Sequence, residues 1–195
     1  NLHRNPLCGR NFEYFSEDPY LTGVCACEIT KGVQNSRPVI VCPKHFAANE
    51  QETFRRGNAG KNVDAVDSIL TERALRELYL KPFEMLVKDA GIACIMTSFN
   101  KINGSFSGGS HDLCTHILRE EWGFEGAVVT DWGDMDMVVD GADAVAAGND
   151  IVMPGGPPVI RQILKGYEEG RVTREELEQA VRHLLIMIKR IRLAD

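Results

Sequence analysis

Apolar positions along the chain fall into short runs separated by longer stretches at helical spacing. Pro38 to Pro43 is a short apolar run bounded by prolines, and Ile92 to Phe99, Gly126 to Thr130 and Asp150 to Met153 are three more. Each is strand-length, and Ala127 to Thr130 is apolar on both faces, the pattern of a strand covered on both sides, as in a parallel sheet. Between them the periodicity predicts helices at about 64–89, 112–122, 134–147 and 158–168. Pro82 breaks or kinks the first and Gly91 stops it. A polar loop is expected at about 47–62 and another at 100–110. The opening segment is loop-rich until Pro19 begins a helix, with Glu17 and Asp18 ordering the turn before it. The last helix carries a capping box, Thr173 with Glu176, and an apolar stripe of Leu177, Val181, Leu184, Leu185 and Ile188.

Strand starts near 39, 92, 126 and 150 imply successive βα units of roughly 53, 34 and 24 residues. A doubly wound sheet and a (β/α)-barrel both accommodate such units. Chemistry-bearing residues at nearly every strand end favour the barrel, whose C-terminal strand ends form the reaction face. Lys44-His45 follows the first run, Ser98-Phe99-Asn100 the second, Asp131-Trp132 the third and Met153-Pro154-Gly155 the fourth. Arg10 lies in the opening segment and Arg55 in the loop after His45. Cations and amides that donate to hydroxyls, beside an aromatic face, suit a sugar. A carboxylate at the same rim can attack an anomeric carbon or stabilise charge there. Asp131 also has a plainer reading as the N-cap of the next helix.

Five ordered blocks resemble the barrel domain of glycoside hydrolase family 3, the β-glucosidase-like enzymes. They are Cys8-Gly-Arg-Asn-Phe-Glu…Glu-Asp-Pro-Tyr20, Lys44-His-Phe…Arg55, Met96-Thr-Ser-Phe-Asn-Lys-Ile-Asn-Gly104, Gly123-Phe-Glu-Gly-Ala-Val-Val-Thr-Asp-Trp132 and Ala147-Gly-Asn-Asp-Ile-Val-Met-Pro-Gly155. The resemblance implies a truncated (β/α)8 TIM-barrel-like domain over residues 1–195, with about four to five βα units present. It implies a retaining β-glycosidase in which Asp131 is the nucleophile. Arg10, Lys44, His45 and Arg55 then hold the hydroxyls of the first-subsite sugar, with Phe99 and Trp132 as walls. The implied substrate is a small carbohydrate, a β-glucoside or oligosaccharide, and no metal or organic cofactor is implied.

Two positions depart from the family pattern: Phe99 stands where a tyrosine is usual, and Thr130 where a serine is. A barrel segment that precedes residue 1 in the family, and a second α/β domain that supplies the acid/base, are absent from these 195 residues. The chain alone is therefore expected to be inactive. Glu50, Glu52, Asp134 and Asp136 are acids near the rim, but the family brings its acid/base from elsewhere. Two alternatives use the same residues differently: a Schiff-base barrel lyase with Lys44 as the amine, or a non-catalytic sugar-binding module.

Composition narrows the picture. With 44% hydrophobic and 26% charged residues the chain is an ordinary globular sequence, and a net charge of −6 without a basic run argues against nucleic acid as partner. No apolar run is long enough to span a membrane. None of the six cysteines forms a Cys-x-x-Cys pair, which leaves a zinc site unsupported; Cys42 and Cys94 read as buried thiols. That usage fits a reducing, cytoplasmic compartment. His3, His111, His116 and His183 read as surface or packing residues.

Overall fold

The computed structural model describes residues 1–58, 61–133 and 138–192. Helix α1 spans Pro19–Ser36, capped by the Asp18 carboxylate, which accepts from Leu21 N at 2.7 Å. A two-residue strand β1, Asp67–Ser68, precedes α2, Glu72–Ala74, which continues as a wider turn over Leu75–Tyr79. Then follow α3 (Lys81–Ala90), β2 (Cys94–Met96), β3 (Lys101–Ile102), β4 (Ser105–Phe106) and α4 (Asp112–Glu121), and finally β5 (Ala127–Val129), α5 (Gly141–Ala147), α6 (Pro157–Glu168) and α7 (Arg174–Arg192).

The mixed α/β architecture is built on one parallel arrangement. β2 pairs with β5 in parallel, Cys94 opposite Ala127 and Met96 opposite Val129. Phe46 bridges Thr97 on one side of this pair, and Ile151 bridges Val129 on the other, both in parallel. Four segments thus lie side by side in chain order. Among the described residues they do not close into a barrel. β5 is central and wholly buried, with Ala127 and Val128 at 0% exposure. Gly126 admits its neighbour here, since a Cβ at that position would sit 2.4 Å from Ala93 O.

Helices cover the sheet because their apolar stripes have nowhere else to go. Leu80, Phe83 and Leu86 from α3 and its approach, with Leu113, Ile117 and Leu118 from α4, pack on Phe46, Ile95 and Val128. Phe46 meets Phe83 edge-on, with ring centroids 5.2 Å apart. Burial of such side chains contributes about 1.5–3 kcal/mol each. α5, α6 and α7 form a second core around Ala142, Ala144, Val145, Val159 and Val172. No described helix is long and apolar enough to cross a membrane.

Several expectations need correcting. The first strand is not a regular strand over Pro38–Pro43. Its pairing is shifted to Pro43 and Phe46, through Met96 N to Pro43 O and Phe46 N to Met96 O; the two prolines have no N–H for a ladder. The helix expected from about residue 64 begins only at Glu72, with Thr71 as cap, and Asp67–Ser68 pairs with β3 instead. Pro82 does mark a boundary, lying at the start of α3, and Gly91 ends that helix at φ +60°. The loop at 100–110 contains a hairpin, β3–β4, whose turn places Asn103 and Gly104 at positive φ. That Asn-Gly pair is the turn signal the periodicity obscured.

The helix expected at 134–147 is described only as α5, and residues 134–137, with Asp134 and Asp136, lie outside the described residues. The apolar stripe of α7 is only partly covered: Val181, Leu185 and Ile188 are exposed, while Ala180 is buried. Its capping box forms as expected, Glu176 N donating to Thr173 Oγ1 and Thr173 N to Glu176 Oε2. The Cys94 thiol is buried, while that of Cys42, 2.9 Å away, is half-buried.

Candidate active site

Asp131 lies two residues past the end of β5, after Thr130, so the most buried strand of the sheet delivers it to the C-terminal rim. The turn that holds it is pinned from the Ile151 segment. Met153 N donates to the fully buried Thr130 Oγ1 at 2.9 Å, and Gly133 N donates to Met153 O at 2.9 Å. Asp131 Oδ1 accepts from Trp132 N at 2.7 Å. Oδ2 is buried and, among the described residues, accepts no hydrogen bond.

His45 Nε2 lies 3.5 Å from Oδ2. His45 is 2% exposed, and its Nδ1 lies 3.3 Å from Asn1 Oδ1. Arg10 Nη1 approaches Nε2 at 3.4 Å, and a guanidinium can only donate. Nδ1 therefore carries the proton and Nε2 is the acceptor. Burial, reinforced by the charges of Arg10, Lys44 and Arg55, drives the imidazole pKa down to about 2. His45 is accordingly neutral and has no proton to offer Asp131.

The cations are ordered by carboxylates. Arg10 forms a two-pronged pair with Glu13, at 3.0 and 3.1 Å. Lys44 Nζ reaches the same carboxylate at 3.0 Å. Hydrogen bonds from Arg10, and then Lys44, hold the Glu13 carboxyl at about 2 despite partial burial. Glu52 lies between two guanidinium groups, with Arg55 at 3.2 Å and Arg10 at 3.8 Å, and accepts from Asn49 Nδ2 at 3.2 Å. Arg55 in turn lies over the buried ring of Phe99, 4.9 Å from its centroid.

A cleft of about 370 Å³ opens beside these groups, lined by Glu52, Arg55, Arg56, Phe99, Asp131 and Trp132 among others. Of the expected site residues, Asp131, Arg55, Phe99 and Trp132 line it directly. Arg10 and His45 stand behind Asp131. Lys44 joins only through Glu13 and is itself exposed. Trp132 is 64% exposed, so it forms a wall that a ligand can cover.

Sequence reasoning missed the part played by Glu13, and it placed Glu52 only as an acid near the rim. Glu13 and Glu52 organise the cations, and the signal was present in their i,i+3 spacing from Arg10 and to Arg55. Glu52 is therefore a clamp rather than an acid waiting at the rim. Glu50 accepts from Leu2 N and Asn1 Nδ2, and burial raises its carboxyl pKa. Lys44 as a Schiff-base amine finds no support, since its ammonium is ion-paired and exposed rather than desolvated. Nor does any observation favour a non-catalytic module. His183 is not a plain surface or packing residue: it bonds Asp150 at 2.8 Å.

Comparison with known proteins gives this geometry a setting. β-Glucosidase A of Butyrivibrio fibrisolvens is 45% identical over 179 residues, which is 92% of this chain and 20% of that protein. The exo-α-(1→6)-L-arabinopyranosidase of Bifidobacterium breve is 44% identical, over 100% of this chain and 24% of its own length. Among solved structures, β-glucosidase 3B of Thermotoga neapolitana in complex with α-D-glucose superposes with a TM-score of 0.88 at 41% identity, covering 100% of this chain and 27% of that one. The chain thus spans only about a fifth to a quarter of the length of the curated relatives it matches. The profile of the glycosyl hydrolase family 3 N-terminal domain matches residues 1–187, and the chain belongs to that family.

Proposed function

We propose that this chain is the nucleophile-bearing part of a retaining glycosidase that hydrolyses terminal β-linked glucosides or related sugars. The observation that carries the reading is Asp131 Oδ2, a buried carboxylate oxygen without a donor among the described residues, at the end of the central strand and beside a sugar-sized cleft. In this reading Asp131 attacks the anomeric carbon as the bond to the aglycone breaks. The aglycone leaves as an alcohol, taking its proton from a carboxylic acid outside these residues. Water then attacks the glycosyl ester, giving up a proton to that same acid/base and restoring the Asp131 carboxylate.

Arg10, Lys44, His45 and Arg55 hold sugar hydroxyls, and such contacts help most where they tighten as charge develops on the ring. The carboxylates of Glu13 and Glu52 keep those cations in place before substrate arrives. Phe99 and Trp132 supply the walls. The four parallel segments in chain order form one arc of a (β/α)8 barrel in this reading, completed by other parts of a longer polypeptide, which also contributes a second α/β domain. The names of the relatives, and the glucose bound to the Thermotoga enzyme, support a sugar as substrate. A reducing, cytoplasmic setting is part of the same proposal and rests on the cysteine usage of the sequence.

The test is covalent. A 2-deoxy-2-fluoro β-glucoside with an activated leaving group should trap the full-length protein as an ester on Asp131, identified by peptide mass spectrometry. A label on any other side chain sinks the assignment. The 195-residue chain alone should not turn over an aryl β-glucoside at rates typical of enzymes.

A further inference from the structure

Four cations lie at the cleft or behind it, and three of them are ion-paired, sharing two carboxylates. Arg10 is paired with Glu13 and Glu52, Lys44 with Glu13, and Arg55 with Glu52. Arg56 is different. It is exposed, its guanidinium lies 5.6 Å from the Phe99 ring centroid, and it lines the same cleft as Asp131. Among the described residues no carboxylate pairs with it. Two aromatic faces are open at the same mouth, Trp132 at 64% exposure and Phe54 at 42%.

We infer that Arg56 makes this cleft select glycosides whose aglycone is an aromatic ring bearing a carboxylate. The inference rests on the proposed glycosidase reading and extends it to the leaving-group side. Arg56 and Trp132 are both exposed in the cleft that Asp131 lines, so an aglycone leaving the anomeric carbon departs past them. An aromatic ring stacks on Trp132 with a gain beyond its buried area. A carboxylate on that ring meets a planar guanidinium with two parallel donors. A neutral aglycone finds the rings but leaves Arg56 facing solvent. Placement of the guanidinium over Phe99 limits its rotamers, so less freedom is lost when the anion binds.

The measurement is a ratio, made on the full-length protein. The kcat/KM for 4-carboxyphenyl β-glucoside is divided by that for phenyl β-glucoside, in wild type and in Arg56→Gln, Arg56→Glu and Arg56→Lys. Comparing each variant with wild type cancels the different intrinsic reactivities of the two leaving groups. Arg56→Gln should lower the ratio about three- to fivefold, the range of a partly exposed ion pair. Arg56→Glu should lower it further, and Arg56→Lys should retain most of it. Raising salt to about 0.5 M should shrink the wild-type ratio toward that of Arg56→Gln. A ratio that neither substitution nor salt moves overturns the inference.

Failure of the underlying reading looks different: wild type then cleaves neither glucoside and Asp131 takes no label. The corresponding thioglucosides, titrated calorimetrically into wild type, still report the preference in that event. Equal affinity for the carboxylated and neutral ligands overturns the role of Arg56.

Discussion

Two aspartates on neighbouring segments of one sheet are treated in opposite ways. Asp150, just before the Ile151 bridge, has a side chain that is 2% exposed and fully satisfied. It accepts from Arg119 Nη2 and Val128 N at 2.7 Å each and from His183 Nδ1 at 2.8 Å. Arg119 also donates to Gly126 O and Gly148 O, so the latch ties α4, β5 and α7 together. Asp131, at the other end of β5, is 13% exposed. Among the described residues, one of its oxygens accepts only from the next residue and the other accepts nothing. A buried acceptor left open costs about 1–3 kcal/mol, whereas a satisfied one holds structure. The difference separates a carboxylate whose bonds tie elements together from one left open at the rim, as the proposed reaction requires.

The sharpest way to break this comparison is to remove each carboxylate in the full-length protein. Asp131→Asn should cost on the order of 10⁴-fold or more in kcat on an aryl β-glucoside, with little change in the unfolding midpoint, because Oδ2 has no donor to lose. Turnover within about tenfold of wild type would falsify the assignment. Asp150→Ala should do the reverse. It strands Arg119 in a site that is only 12% exposed, and should lower unfolding free energy by about 3–5 kcal/mol in chemical denaturation. If the loss is instead below about 1 kcal/mol, the latch is not structural.

Acid should sharpen the contrast at the Asp131 end. The folded imidazole of His45 titrates at about 2 against an ordinary 6.5, so between these values the unfolded chain binds the extra proton. Stability from this group is complete above 6.5 and is lost as pH falls toward 2. Glu13, ordinarily at 4.5 and here at about 2, adds a loss that begins only below 4.5. His45→Gln should therefore flatten the part of the stability profile between pH 6.5 and 4.5 and leave the Glu13 part in place. An unchanged profile there means His45 is not held neutral. The smallest effect concerns the helix that carries His183 to the latch. Thr173→Ala removes the capping box of α7 and should cost about 1 kcal/mol in the same denaturation assay.

Much of the fold was legible because it rests on local pattern. The run before Asp131 is apolar on both faces and is the central strand, and Gly91 and Thr173 end and begin helices where their chemistry predicts. What escaped was non-local. β1 is two residues long and exists only because Lys101 and Ile102 pair with it from 34 positions away, as Asp67 opposite Lys101 shows. Such a strand has no period to detect. The exposed stripe on α7 was likewise invisible, since periodicity says which face is apolar but not what covers it.

The candidate site divides along the same line. Residue types at strand ends, and the resemblance in their order, singled out Asp131, Arg10, Lys44, His45, Arg55, Phe99 and Trp132. Glu13 and Glu52 were in plain view as i,i+3 neighbours, but an i,i+3 pair on an isolated turn is ordinary surface chemistry. Only the fold brings both carboxylates against a second cation and makes them clamps.

Sequence by itself thus determined the βα alternation, the strand that ends in Asp131 and the family to which the chain belongs, because these depend on short-range periodicity and ordered blocks. Only contacts across the fold set which hydrogen bonds each aspartate receives, that His45 is a neutral acceptor, and that Arg56 lines the cleft with no ion-pair partner among the described residues. Those outcomes depend on burial and on contacts across tens of residues, and neither is written in local pattern.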